Sequence, residues 1–170
     1  IGNKKGKGSI QKGKKPILIN HLKSIINVIN EQKIMDIKKL RDKSIILIGF
    51  GGGFRRTELI SIDHEDLEFV PEGLKITIKR SKTDQYGEGM IKGLPYFTNE
   101  SYCPVKNLKK WLEISKIRSG PIFRRFSKGL SLTDKRLTDQ SVVLLIKEYL
   151  NLAGIDNKNF AGHSLRSGFA

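Results

Sequence analysis

At 170 residues the chain suits one domain, and its 38% hydrophobic and 29% charged residues exclude bulk disorder. The charge is lopsided: 32 Lys+Arg against 17 Asp+Glu leave a formal +15, which self-repels unless a polyanion relieves it, so nucleic acid is the leading expected partner and an acidic membrane surface the second. One cysteine, Cys103, excludes an intrachain disulfide and a cysteine-built zinc site, and three widely spaced histidines speak against a structural metal. No apolar run approaches the roughly 18 residues of a membrane span, and no signal-peptide pattern opens the chain. These features predict a soluble, cytoplasmic, basic protein. The first residue is Ile1 rather than Met, so the chain is expected to be a piece of a longer protein or a processed product.

Residues 1–15 carry six lysines, four glycines and no acid. They read as a flexible basic linker, either a solvated tail or a strap along DNA phosphates. The folded domain is expected over 16–170. Pro16 suits the first position of a helix, and Leu18, Leu22, Ile25, Ile26 and Ile29 recur at helical spacing. A second helix is predicted from Asp36 through Leu40 and Ile45–Ile48, stopped by Gly51, Gly52 and Gly53. A third starts near Thr57, with Glu58 placed at the positive end of its dipole. The period then changes. Leu67–Val70, a turn at Pro71-Glu72-Gly73, and Leu74–Lys79 predict a hairpin, with Leu74, Ile76 and Ile78 dry and Lys75, Thr77 and Lys79 wet. Met90–Leu94 is expected to return as a third strand. Helices resume at Pro104–Ile117 and Asp139–Leu152, the latter ended by Gly154, and a last one begins at His163. The fold class is therefore mainly α with one small antiparallel β-sheet.

Three segments have chemical content. Gly51-Gly52-Gly53-Phe54-Arg55-Arg56-Thr57-Glu58-Leu59 is not a nucleotide loop. A dinucleotide fingerprint from Gly49 would need glycine where Phe54 stands, and the Gly-Lys-Ser/Thr of a phosphate loop is absent. The glycines instead permit a tight turn that presents Arg55 and Arg56 at a helix start, where a guanidinium fork suits a phosphate. Arg80-Ser81-Lys82-Thr83-Asp84-Gln85 lies at the hairpin tip and reads either as an ordinary charged turn or as a lysine able to reach a bound strand. His163 and Arg166, three apart on a helix, share a face and combine a titratable donor with a fixed phosphate clamp.

In that order the three segments resemble the boxes of the tyrosine recombinase (phage integrase) family: Gly53-Phe54-Arg55-Arg56-Thr57-Glu58-Leu59 its first arginine box, Arg80-Ser81-Lys82-Thr83-Asp84 its hairpin lysine turn, and His163-Ser164-Leu165-Arg166 its His-x-x-Arg box. The resemblance implies a catalytic domain for site-specific DNA recombination or integration, with no metal and no cofactor. It implies that Arg55 and Arg166 hold the scissile phosphate, His163 assists proton movement, and Lys82 protonates the leaving 5′ oxygen. Glu58 would support an arginine; Arg56, Arg80, Lys79 and Lys75 would contact DNA. The implied partners are double-stranded DNA and further copies in a tetramer, with no membrane. Family members place a histidine or tryptophan and then the nucleophilic tyrosine after His-x-x-Arg, whereas the sequence ends at Ala170; Tyr86, Tyr96, Tyr102 and Tyr149 all precede that box. The C-terminal helices are thus expected to be missing and the 170 residues alone to be inactive. Rival readings are a type IB topoisomerase-like enzyme, a non-catalytic basic DNA- or RNA-binding domain, and a metal nuclease on Asp63, His64, Glu65 and Asp66, an acidic run otherwise expected to be a solvated connection. Cys103 and Trp111 are expected to be structural.

Overall fold

The computed structural model describes residues 19–79 and 89–156. The basic linker, Pro16 and Leu18, the turn bearing Arg80 and Lys82, and the His163–Arg166 box lie outside the described residues. Among the described residues five α-helices run Ile19–Glu31 (α1), Asp36–Gly52 (α2), Arg56–Ile60 (α3), Pro104–Ser115 (α4) and Asp139–Leu152 (α5). The strands are Leu67–Val70 (β1), Gly73–Ile78 (β2), Met90–Pro95 (β3), Arg124–Phe126 (β4) and Leu132–Arg136 (β5). The mainly helical class holds. The expectation of a single sheet does not: β1-β2-β3 form one antiparallel sheet and β4-β5 a second.

Helix α1 is amphipathic and buries Leu22, Ile25, Ile26 and Ile29 on one face. Helix α2 is different, because from Ser44 to Gly49 every residue is buried. A helix that is dry all round belongs in the middle, and α2 packs most extensively on α4 while also touching α1, α3, α5 and β3. Helix α4 contributes Val105, Leu108, Trp111 and Leu112 to this core, and the Trp111 indole N–H donates to the Ile122 carbonyl at 2.7 Å. It stops at Ser115, short of the expected Ile117, because Lys116 turns into the left-handed region at φ 60°. Strand β2 alternates as expected, Leu74, Ile76 and Ile78 buried, Lys75, Thr77 and Lys79 exposed. Its last residue Ile78 pairs with Met90 of β3, so the connection that carries Lys82 leaves and re-enters the sheet at adjacent strand ends.

Two charged residues, Arg41 and Asp42, sit inside the apolar mass. The Asp42 side chain on α2 has no solvent exposure. Its Oδ1 accepts from Nε and Nη2 of Arg41 at 3.0 and 2.9 Å, and its Oδ2 accepts from Lys38 at 2.7 Å and from the Tyr149 hydroxyl of α5. Arg41 also donates to the Arg124 carbonyl at 3.0 Å and stacks 4.7 Å from the Phe126 ring. Burial, and then the Asp42 charge, drive the Tyr149 hydroxyl pKa far upward, so it stays protonated as a donor. Asp42→Ala strands a buried guanidinium and is expected to cost about 3–5 kcal/mol. Tyr149→Phe removes one donor and is expected to cost about 1–3 kcal/mol. Denaturant unfolding of the two variants tests that order.

Candidate functional site

The site begins where α2 ends. Its C-terminal carbonyls need donors once the helical ladder runs out. Gly53 supplies one solution by entering the left-handed region at φ 61°, so that its N–H reaches the Phe50 carbonyl at 3.3 Å and the Phe54 N–H reaches Gly49 at 3.1 Å. Phe54 is wholly buried, with its ring folded back over Gly52; a Cβ on Gly52 would lie 2.3 Å from that ring. The Lys92 ammonium of β3 then donates to the Gly52 and Gly53 carbonyls at 2.7 and 2.9 Å and lies 4.8 Å from the Phe54 ring centre.

Arg55 follows as the N-cap of α3, with extended dihedrals of −69° and 149°. Its backbone N–H donates to Glu58 Oε1 at 2.9 Å, and its carbonyl accepts from the Leu59 N–H at 2.9 Å. Thus the backbone on both sides of Arg55 is fixed while its side chain is exposed, and among the described residues the guanidinium has no acidic partner. Arg56 differs. Its Nε lies 3.5 Å from Asp139 Oδ2 at the start of α5, a half-exposed pair of the kind that contributes little in water. The Thr138 side chain caps α5 beside it, accepting from the Ser141 N–H.

The acidic run after α3 is not the solvated connection expected from the sequence. Residues His64–Asp66 form a 3₁₀ turn, and the Asp66 carboxylate accepts from the Asp63 N–H at 2.9 Å. Asp63 receives Arg136 Nη2 at 2.7 Å, and the Lys79 ammonium lies between Asp63 and Asp66, 3.0 Å from the latter. Arg136 also donates to the last carbonyl of α3, Ile60, at 2.8 Å. Glu65 accepts from the Gly120 N–H at 2.9 Å. These carboxylates are already bonded within the fold, which leaves the nuclease reading without a ligand set; among the described residues no group of three His, Cys, Asp or Glu converges.

Of the site residues read from the sequence, Arg55, Arg56 and Glu58 share the α2–α3 elbow. Lys75 is exposed on β2, opposite Glu68. Lys79 leaves the same strand but its charge is held by two carboxylates. Lys82, Arg80, His163 and Arg166 are not among the described residues. The sequence reading missed Lys92 and Arg136, and it noted Asp63 and Asp66 only as metal-nuclease candidates, whereas they bind the side chains that clamp the helix and strand ends around Arg55.

A family model described as the phage integrase family matches residues 17–170. The chain belongs to the phage integrase family. Among curated relatives, an integrase/recombinase xerD homolog of Selenomonas ruminantium is 46% identical over 164 residues, 96% of this chain and 47% of that protein. Among solved structures, the XerH site-specific recombinase bound to palindromic difH substrate in a post-cleavage complex superposes with a TM-score of 0.69 at 20% identity, covering 91% of this chain and 40% of that one. A lambda integrase tetramer bound to a Holliday junction gives 0.61 at 15% identity, covering 91% and 41%. The phage integrase chain described here thus shares the catalytic-domain fold of tyrosine recombinases, and it spans about half the length of the curated relatives it matches.

The Asp63 cluster has a consequence for acid stability. Burial raises the Asp63 carboxyl, but hydrogen bonds from Lys79 and Arg136 and their charges outweigh it, so its pKa falls below the ordinary 3.8. For Lys79, burial lowers the ammonium, yet bonds to Asp63 and Asp66 raise it above 10.5 overall. A lowered carboxylate stabilises the fold fully above its unfolded value and loses that contribution as pH falls through the folded one. The melting-temperature gap between wild type and Asp63→Asn is therefore expected to hold down to about pH 5 and to close below about pH 4. Thermal melts across that range test it; a gap that stays open in acid would remove the ion pair as its cause.

Proposed function

We propose that this chain is the catalytic part of a site-specific recombinase that breaks and rejoins double-stranded DNA through a 3′-phosphotyrosine. Arg55 carries the proposal: its backbone is fixed from both sides, and among the described residues its exposed guanidinium has no acid to neutralise it. A permanent cation held in this way suits a phosphodiester whose non-bridging oxygens gain charge as a nucleophile attacks. Family membership and the ordered boxes support Arg166 as the second guanidinium on the same phosphate, His163 as a hydrogen-bond donor and proton carrier, and Lys82 as the acid that protonates the departing 5′ oxygen. Glu58 acts as a positioning residue through the Arg55 backbone. The phosphotyrosine conserves the phosphoester, so rejoining to a new 5′ hydroxyl needs no nucleotide and no metal.

The nucleophile is assigned outside the described tyrosines. The Tyr149 hydroxyl is buried against the Asp42 carboxylate and resists ionisation, the opposite of what attack requires. Tyr102 donates to Asn27 Oδ1 at 3.1 Å, and the Tyr96 hydroxyl accepts from Lys109. DNA-backbone contacts are assigned to Arg56, whose pair with Asp139 a phosphate can replace, to Lys75 and to Arg80. Lys79 is the weakest of these assignments, since its charge is spent on Asp63 and Asp66. The lambda integrase neighbour was seen as a tetramer on a Holliday junction, which supports a tetrameric assembly of the full-length protein on two duplexes.

In the full-length protein, Arg55→Ala is expected to slow formation of the covalent protein–DNA adduct by about 10²–10³-fold. Affinity for the duplex should fall by less than about tenfold, the share of one phosphate contact. A nicked substrate that traps the adduct, assayed with and without a chelator, measures both the rate and its independence of metal. Unchanged adduct formation with weakened binding would reduce Arg55 to a phosphate contact.

A further inference from the structure

Three features outside the assigned machinery stand out: the Asp63–Lys79–Arg136 cluster, the basic β4–β5 hairpin, and Lys92. The last touches the backbone that presents Arg55. We propose that Lys92 is a positioning residue that sets the Arg55 guanidinium on the scissile phosphate, an inference that rests on the catalytic reading of Arg55.

The geometry is specific. Of the carbonyls at the end of α2, Gly49 accepts from Phe54 and Phe50 accepts from Gly53. Past Gly51, the Gly52 and Gly53 carbonyls point their oxygens at a single Lys92 ammonium, at 2.7 and 2.9 Å. A cation there is favoured twice, by charge-assisted hydrogen bonds and by the negative end of a 17-residue helix. The Gly53 carbonyl belongs to the peptide that leads into Phe54, and the Phe54 carbonyl leads into Arg55. With Lys92 in place, Gly53 is bonded at N and O, Phe54 at N, and Arg55 at N and O. Three successive glycines, Gly51 to Gly53, give this turn wide backbone freedom, which an external tie restrains. The ammonium, 4.8 Å from the Phe54 ring, also holds that ring over Gly52.

Lys92 has a second connection. It faces Ile76 in the β2–β3 register, two residues beyond the Ile78–Met90 pair that closes the base of the Lys82-bearing connection. One side chain therefore joins the strand returning from the candidate acid to the elbow carrying the candidate clamp. A displacement of either relative to the other is opposed by two hydrogen bonds. Misplacing a charge-stabilising group by about 1 Å can cost roughly 10²-fold in rate.

The test uses the full-length protein with Lys92→Met and Lys92→Arg, alongside Arg55→Ala. Lys92→Met is expected to slow adduct formation about 10- to 100-fold with duplex affinity within about twofold, because the ammonium is occupied by carbonyls rather than offered to phosphate. Lys92→Arg, which keeps charge and donors, should recover part of the rate. The decisive readout is a substrate whose scissile phosphate is a neutral methylphosphonate. With less charge to stabilise, the need for Arg55 falls, so the defects of Arg55→Ala and Lys92→Met should shrink together. An equal Lys92→Met defect on both substrates would make Lys92 a stability residue and overturn the inference. Wild-type cleavage by Lys92→Met with a slow Arg55→Ala would overturn it while leaving the reading of Arg55 intact. Wild-type cleavage by Arg55→Ala would end both. Should Lys92→Met fail to fold, Lys92→Gln retains a donor without the charge, and the same substrate ratio decides.

Discussion

A carboxylate with no access to water, Asp42, is the constraint from which the rest of the arrangement follows. Removing it from solvent is tolerable because four hydrogen bonds from Lys38, Arg41 and Tyr149 replace its hydration. These donors come from two helices, and Arg41 passes the connection on to β4 through the Arg124 carbonyl and the Phe126 ring. Apolar burial of α2 against α1 and α4 is forgiving of small slides and rotations. A charged group with directional partners is not, and it fixes the depth and rotation of the central helix. Since the Gly51–Phe54 elbow is the end of that same helix, its orientation there is inherited by Arg55.

Around the elbow, the fold solves a recurrent problem with side chains rather than solvent. Helix ends and short strands leave carbonyls and amides without ladder partners. Lys92 serves the end of α2, Glu58 the start of α3, Arg136 its end, and Glu65 the loop at Gly120. The bonds of Lys92 and Arg136 tie the elbow and α3, which bear the candidate chemistry, to β3 and β5. The consequence is a cationic residue displayed on a rigid backbone, which is what stabilisation of a developing charge requires. Family membership and the shared fold support the proposed recombinase reading, and the local physics explains why an arginine at this position is suited to a phosphate.

Much of the fold was legible because its main elements announce themselves through periodicity. The spacing of Leu22, Ile25, Ile26 and Ile29, the alternation from Leu74 to Ile78, and the proline and glycine punctuation gave the α-helices and the first sheet of the described residues nearly to their bounds, while the helix expected from His163 lies outside them. The second hairpin was not legible. Arg124–Phe126 and Leu132–Arg136 are short and polar, and the side chains that tie them in, Arg41 and Arg136, bond across 83 and 76 positions. Asp42 reads as a surface acid in any local window, and Lys79 and Lys92 as the wet residues of strands. Alternation predicted the exposed side of Lys79, whereas Lys92 pairs with buried Ile76 and lies half-buried on the core face. It carries no information on what waits for them across the fold, which depended on acids in a 3₁₀ turn and on carbonyls at a helix end. Arg55 and Glu58 were visible because their partners are only three positions apart.

Cys103 has a practical bearing on how local opening of the fold can be observed. It is the one thiol in these 170 residues, it is fully buried, and its sulfur accepts from the Phe97 N–H at 3.3 Å. An alkylating reagent reaches it only when the start of α4 detaches from the strand leading out of β3, so its labelling rate is a clock for local opening beside the elbow. For the same reason the native surface is silent toward thiol dyes. A cysteine introduced at any exposed position of this domain would accept a fluorophore without background from the chain itself.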